Sequence, residues 1–160
     1  MLKAIKAKKS KANGGRFAIV ASEYNGRYVD AMLRAAKAEL LRAGAESVQV
    51  ARVPGAFEIP VVAARLARVS TPRLSAILCL GVILRGETTH AQHIAEAVTA
   101  ALSHIQIEYE IPVIHEVLLL ENEAQARARC LGGKFSRGVE AAQTALKMAG
   151  VMKRLVSRAE

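Results

Sequence analysis

The run GVILRGETTHAQHIAEAV, from Gly81 to Val98, starts as an apolar strand and ends as an amphipathic helix. A polar turn carrying a glycine, two hydroxyls and His90 joins the two. Residues Gly86, Glu87, Thr88 and Thr89 at such a junction can offer free backbone N–H groups and a positive helix end to an anion. Glycine lets a ligand approach the backbone, and the threonine hydroxyls can add hydrogen bonds. The same turn also reads as an ordinary cap, with Thr88 or Thr89 closing a helix that needs one. His90 and His93 are three residues apart and could begin a metal site. No Cys or acidic pair at metal-ligand spacing accompanies them, so no metal is expected. His104 sits among apolar helical neighbours and reads as a packing residue. His115 interrupts the apolar run Val113-Ile114 and reads as facing a site or an interface.

Four cycles of strand and helix position these groups. Phe17 to Ala21 is a short apolar strand, and Asn25-Gly26 opens a helix bearing Val29, Met32, Leu33, Leu40 and Leu41. Gly44 ends that helix at the usual C-terminal glycine position. Val48, Val50 and Val53 alternate with polar residues in a second strand, broken by Pro54-Gly55. A helix carrying Ile59, Val62, Ala63, Leu66 and Val69 follows, stopped at Ser70-Thr71-Pro72. Ser75 to Leu84 is almost wholly apolar, as a central parallel strand covered on both faces should be. A helix from Thr89 to Tyr109 leads to a fourth strand ending at Leu120. Glu123 to Cys130 and Ser136 to Val156 are two helical pieces hinged at Gly132-Gly133. The alternation predicts a doubly wound parallel sheet with sites at the C-terminal strand ends. Those ends are Ser22 to Asn25, Pro54 to Glu58, Arg85 to His90, and His115 onward.

The 160 residues suit one domain, with residues 1–15 as a basic flexible arm and 16–160 as the folded body. Hydrophobic residues make up 52% and charged residues 23%, a globular composition. The longest apolar runs are too short to span a bilayer, and no apolar segment follows the N-terminal lysines, which argues against a secretory signal. The arm lacks Arg and has little Ser, which argues against a mitochondrial presequence. Two cysteines suggest no disulfide framework, and a reducing cytoplasm is the expected setting. Lys3, Lys6, Lys8, Lys9 and Lys11 supply five charges of a net +9. Such an arm could bind RNA by counterion release, but no aromatic is interleaved for base stacking, and a solubilising role is favoured.

VPGAFEIP at residues 53–60, followed by GVILRGETTH at 81–90, resembles the lumazine synthase family of riboflavin biosynthesis. The match continues through QARARC at 125–130 and RGVEAAQTALKMA at 137–149. The resemblance implies a flavodoxin-like three-layer α/β/α sandwich with a four-stranded parallel sheet. It implies condensation of 5-amino-6-(D-ribitylamino)uracil with 3,4-dihydroxy-2-butanone 4-phosphate to 6,7-dimethyl-8-ribityllumazine, phosphate and water. Two small-molecule substrates are thus expected, without cofactor or metal. The family forms pentamers, sometimes built into decamers or sixty-subunit shells, and the shell is favoured here because no insertion interrupts the match. Position by position, the Gly86-Glu87-Thr88-Thr89 turn would hold the phosphate and His90 would transfer protons. Arg129 would reach the phosphate from a neighbouring subunit. Tyr24, beside Asn25, would stack on the pyrimidine, Ala56, Phe57 and Glu58 would meet the ribityl chain, and Val82 and Ile83 would offer backbone to the uracil edge.

Three stretches depart from the family pattern. Ala91, Gln92 and His93 replace the usual aromatic and acidic residues after the histidine. His115, followed by Glu116, stands where many members place a phenylalanine facing the neighbouring pocket. Leu131 to Ser136 replaces a glycine- and lysine-bearing stretch. Catalysis remains the favoured reading. A non-catalytic flavin-binding relative and a shell-forming, nucleic-acid-binding assembly protein are its rivals.

Overall fold

The computed structural model describes residues 10–132 and 136–156. The elements are β1 (Arg16–Ser22), α1 (Gly26–Arg42), β2 (Ser47–Val53), α2 (Ile59–Val69), β3 (Ala76–Leu84), α3 (His90–Tyr109), β4 (Val113–Leu120), α4 (Glu123–Cys130) and α5 (Arg137–Val156). A single 3-10 turn, Ala56–Glu58, leads into α2. The strands form one parallel sheet in the order β2-β1-β3-β4. This is the doubly wound parallel sheet that the alternation predicts, in the three-layer, flavodoxin-like sandwich that the resemblance implies. Helices α2 and α3 cover one face, while α1, α4 and α5 cover the other.

Alternation along each strand sends its side chains into two separate cores. Phe17, Ile19 and Leu78 pack under α1 and α5, whereas Val20, Ile77 and Cys79 pack under α2 and α3. Every residue of β3 up to Ile83 is buried, which accounts for its unbroken apolar sequence. The tightest helix pair is α1 against α5. A Cβ on Gly138 would lie 2.2 Å from the Met32 carbonyl oxygen, so only glycine allows this approach. Both cysteines are free and buried. Among the described residues, no helix is long and apolar enough to cross a membrane.

Within the stretch 10–15, the Ala12 N–H donates to the Ala43 carbonyl at 2.8 Å and the Glu46 N–H donates to the Gly15 carbonyl at 2.9 Å. That stretch is therefore fastened to the body; residues 1–9 lie outside the described residues. Several expectations need correction. Leu41 is half exposed because the buried stripe of α1 runs through Val29, Met32, Ala36 and Leu40. His104 is not a packing residue. It falls off the buried α3 stripe of Ala91, Val98, Leu102 and Ile105, is 77% exposed, and pairs with Glu108 at 2.9 Å. The expected hinge reaches Gly133, and Gly133 to Phe135 lie outside the described residues.

Candidate active site

In this strand order the chain leaves β1 toward β2 on one side and reaches β3 and β4 on the other. The crevice beyond the C-terminal ends of β1 and β3 is the place where such a sheet opens to a ligand. Register shows how it opens: β1 pairs with β3 only as far as Ala21 opposite Leu80, while β3 continues beside β4 to Leu84. Across this gap the Asn25 amide Nδ2 donates to the Val82 carbonyl at 2.7 Å. Asn25 can do so because it takes the left-handed backbone conformation that opens α1. Ile83 stays in register with Leu119 of β4. Asn25 and Val82 thus form a floor between strands.

The loops after β1 and β2 are tied together. Glu23 N–H donates to the Val53 carbonyl at 2.8 Å, and Tyr24 N–H to the Pro54 carbonyl at 3.0 Å. Glu58 Oε2 accepts the Gly55 N–H at 2.8 Å, which folds the 3-10 turn. A Cβ on Gly55 would lie 2.9 Å from that carboxylate oxygen and 3.2 Å from the Tyr24 ring, so a side chain there would have to push the carboxylate and the ring aside. Tyr24 and Phe57 remain strongly exposed, at 72% and 61%. Large apolar rings left in water at strand ends are candidates for contact with a planar ligand. One carboxylate lone pair of Glu58 serves the turn, and the others can accept ligand hydroxyls.

A cleft of about 560 Å³ lies between this unit and α3. Tyr24, Gly55, Phe57 and Glu58 form one wall, and His90, His93, Ile94 and Ala97 form the other. His90 is the residue that the sequence motif singles out, and His93, which the sequence marks only as a departure from the family pattern, lines the same wall. The signal was present: positions 90, 93, 94 and 97 make one helical stripe. Ala56 is buried beneath the turn rather than lining the cleft.

The Gly86–Thr89 turn meets an open helix end. Thr89 makes no side-chain cap, and the nearest substitute is a long contact in which the His90 N–H approaches Thr88 Oγ1 at 3.4 Å. First-turn N–H groups without a firm cap can bind an anion. Gly86, Glu87, Thr88 and Thr89 are all exposed. A Cβ on Gly86 would meet nothing within 4 Å, so nothing in the folded chain itself requires glycine at that position.

Two expected site residues stand elsewhere. His115 points to the α3 face, its Nε2 2.8 Å from Thr99 Oγ1. Thr99 donates its own proton to the Ala95 carbonyl and Val117 N–H approaches His115 Nδ1, so the imidazole proton sits on Nε2. Arg129 is exposed near the end of α4 and does not line the cleft. Its charge is felt by Glu116, which points to the opposite face of β4. Glu116 is only 7% exposed, and Arg137 Nε donates to its Oε2 at 3.0 Å while also holding Glu140. Burial pushes the Glu116 carboxyl up to about 7, outweighing the pull of Arg137.

Known proteins similar to this chain carry one family name. A sequence model of 6,7-dimethyl-8-ribityllumazine synthase matches residues 14–153. A 6,7-dimethyl-8-ribityllumazine synthase of Stenotrophomonas maltophilia is 40% identical over 142 residues, 88% of this chain and 90% of its own. That of Xylella fastidiosa is 38% identical over 144 residues, 89% of this chain and 92% of its own. That of Xanthomonas oryzae pv. oryzae is 37% identical over 142 residues, 88% and 91%. With motifs, sheet order and cleft in agreement, the chain belongs to the 6,7-dimethyl-8-ribityllumazine synthase family, transferases of riboflavin biosynthesis.

Proposed function

We propose that this chain condenses 5-amino-6-(D-ribitylamino)uracil with 3,4-dihydroxy-2-butanone 4-phosphate in the switch-point cleft. The observation that carries this reading is His90, which lines the cleft and begins the helix whose uncapped end adjoins the Gly86–Thr89 turn. Joining an amine to a ketone releases water, and expelling phosphate requires a proton to leave the neighbouring carbon. Both steps need a group that gives and takes protons near neutrality, as imidazole does. The phosphate would rest on the first-turn N–H groups of α3 and the hydroxyls of Thr88 and Thr89. Tyr24 would cover the pyrimidine, and Phe57 with Glu58 would meet the ribityl chain. The uracil edge would reach the floor at Val82 and Ile83, where it competes with or joins the Asn25 amide.

The working unit in this reading is at least a pentamer, with Arg129 and His115 entering a neighbour's cleft. Their positions outside their own chain's cleft support it, as do the exposed apolar side chains Val61, Val69 and Ile107 on α2 and α3. A heterologous contact repeated around a ring completes every site with one interface. The sixty-subunit shell is our favoured larger state, and the cytoplasm our favoured compartment. The Lys-rich arm serves solubility in this account rather than RNA binding.

Product absorbance in a two-substrate assay of the purified chain tests the activity. Appearance of the lumazine supports the proposal; its absence with both substrates at saturating levels would favour a binding protein.

A further inference from the structure

We propose that His93 is a specificity-determining residue that binds the polyhydroxylated side chain of the pyrimidine. The inference rests on the catalytic reading of the cleft and assigns a role to a residue that it leaves unused. His93 shares the α3 wall with His90, one helical turn further from the Gly86–Thr89 end. Three residues of helix advance about 4.5 Å, so His93 meets a part of the ligand more distant from the phosphate than His90 does. Its neighbours on that wall are Ile94 and Ala97, and Phe57 lies across the cleft, so this stretch is otherwise apolar. The charged group on the facing wall is the Glu58 carboxylate, held in place by the Gly55 N–H.

A carboxylate only accepts hydrogen bonds, whereas a neutral imidazole both donates and accepts. A chain of hydroxyls between the two walls can therefore donate to Glu58 and exchange bonds of either sense with His93. Among the described residues the His93 ring has no protein partner, so both of its nitrogens are open to such a ligand. His93 touches neither the phosphate turn nor the amine and ketone carbons in this arrangement. It acts on binding rather than on the chemical step.

The test compares the ribityl-bearing pyrimidine with an analogue carrying a methyl group in place of ribityl. Titration calorimetry and two-substrate kinetics would be run on the native chain, His93→Ala and His93→Gln. Loss of one neutral hydrogen bond weakens binding by roughly 3- to 10-fold. His93→Ala should raise KM and Kd for the ribityl compound by that factor. It should leave kcat, the ketone KM and affinity for the methyl analogue within about twofold. His93→Gln, which can also donate and accept, should recover part of the loss. Equal losses for both pyrimidines, or a fall in kcat at unchanged KM, would overturn the proposal. A native chain that makes no lumazine but shows the ribityl-selective loss would overturn the catalytic reading and keep His93 as a hydroxyl-binding residue.

Discussion

The cleft beside β1 and β3 and the cluster beside β4 both hold polar side chains at the edge of the same sheet, but they are built in opposite ways. In the cleft, polar groups are tied to backbone or left open. Glu58 is fastened by Gly55 N–H, Asn25 spans to Val82, and His90, His93 and Tyr24 face the space between. Beside β4, side chains satisfy each other. Glu116 holds Arg137, Arg137 holds Glu140, and His115 holds Thr99. An arrangement whose bonds are already spent has little left for a ligand in its own chain. Arg129 is the exception, since its side chain is exposed at the margin of that cluster. The contrast supports the proposal that the chemistry belongs to the cleft and that the β4 side serves it from across a subunit interface.

Removing the imidazole at the centre of the cleft should have the largest effect. His90→Ala is expected to slow turnover by about 10²-fold, the scale of a lost acid–base group, while thermal unfolding changes little. The loss stays short of complete because orienting two reactive substrates contributes as well. Steady-state rates at native-like kinetics would remove His90 from the mechanism.

Arg129→Lys comes next. An ammonium keeps the charge but lacks the fork that engages two phosphate oxygens, so the ketone KM should rise about 10-fold. Pyrimidine binding by titration calorimetry should stay near the native value. Equal losses for both substrates would place Arg129 outside the phosphate site.

Glu116 should give the smallest effect and one confined to stability. Its carboxyl titrates at about 7 in the fold against 4.5 as its ordinary value. Between those values the folded chain binds more protons than the unfolded one, so this group's contribution is fully present below about pH 4.5 and is lost as pH rises through 7. Arg137, Glu140, Arg129 and Cys130 are the charged or titratable groups about it, and Arg137 limits the loss. Tm should fall by a few degrees between pH 5 and 8, and Glu116→Gln should flatten that slope. A native slope retained in the variant would assign the pH dependence elsewhere.

Much of this arrangement can be read from residue order. The apolar run through β3, the alternation in β2 and the glycine and proline stops set the elements within a residue or so, because period and punctuation are local properties. His90 and the Gly86–Thr89 turn were legible for the same reason. His93 was not, because without a metal role it read only as a departure from the family pattern, and its place in the cleft depends on the opposite wall. His104 was misread since apolar neighbours in sequence are not neighbours on a helix face. The tie of Ala12 to Ala43 joins residues far apart in the chain and leaves no local mark. The proposed place of Arg129 and His115 in a neighbour's cleft comes from the family resemblance, because neither residue lines the cleft of its own chain.

The shared site can be tested by mixing two crippled chains. His90→Ala and Arg129→Ala subunits would be unfolded, mixed in equal amounts and reassembled, with lumazine formation measured against each variant reassembled alone. If each cleft takes His90 from one subunit and Arg129 from the next, random placement around a ring leaves about a quarter of the sites with both residues. Activity should then rise to about a quarter of the native value, far above either variant. Activity that stays at the average of the two separate variants, in assemblies shown by ultracentrifugation to be mixed, would mean that no cleft borrows Arg129 and would contradict the account.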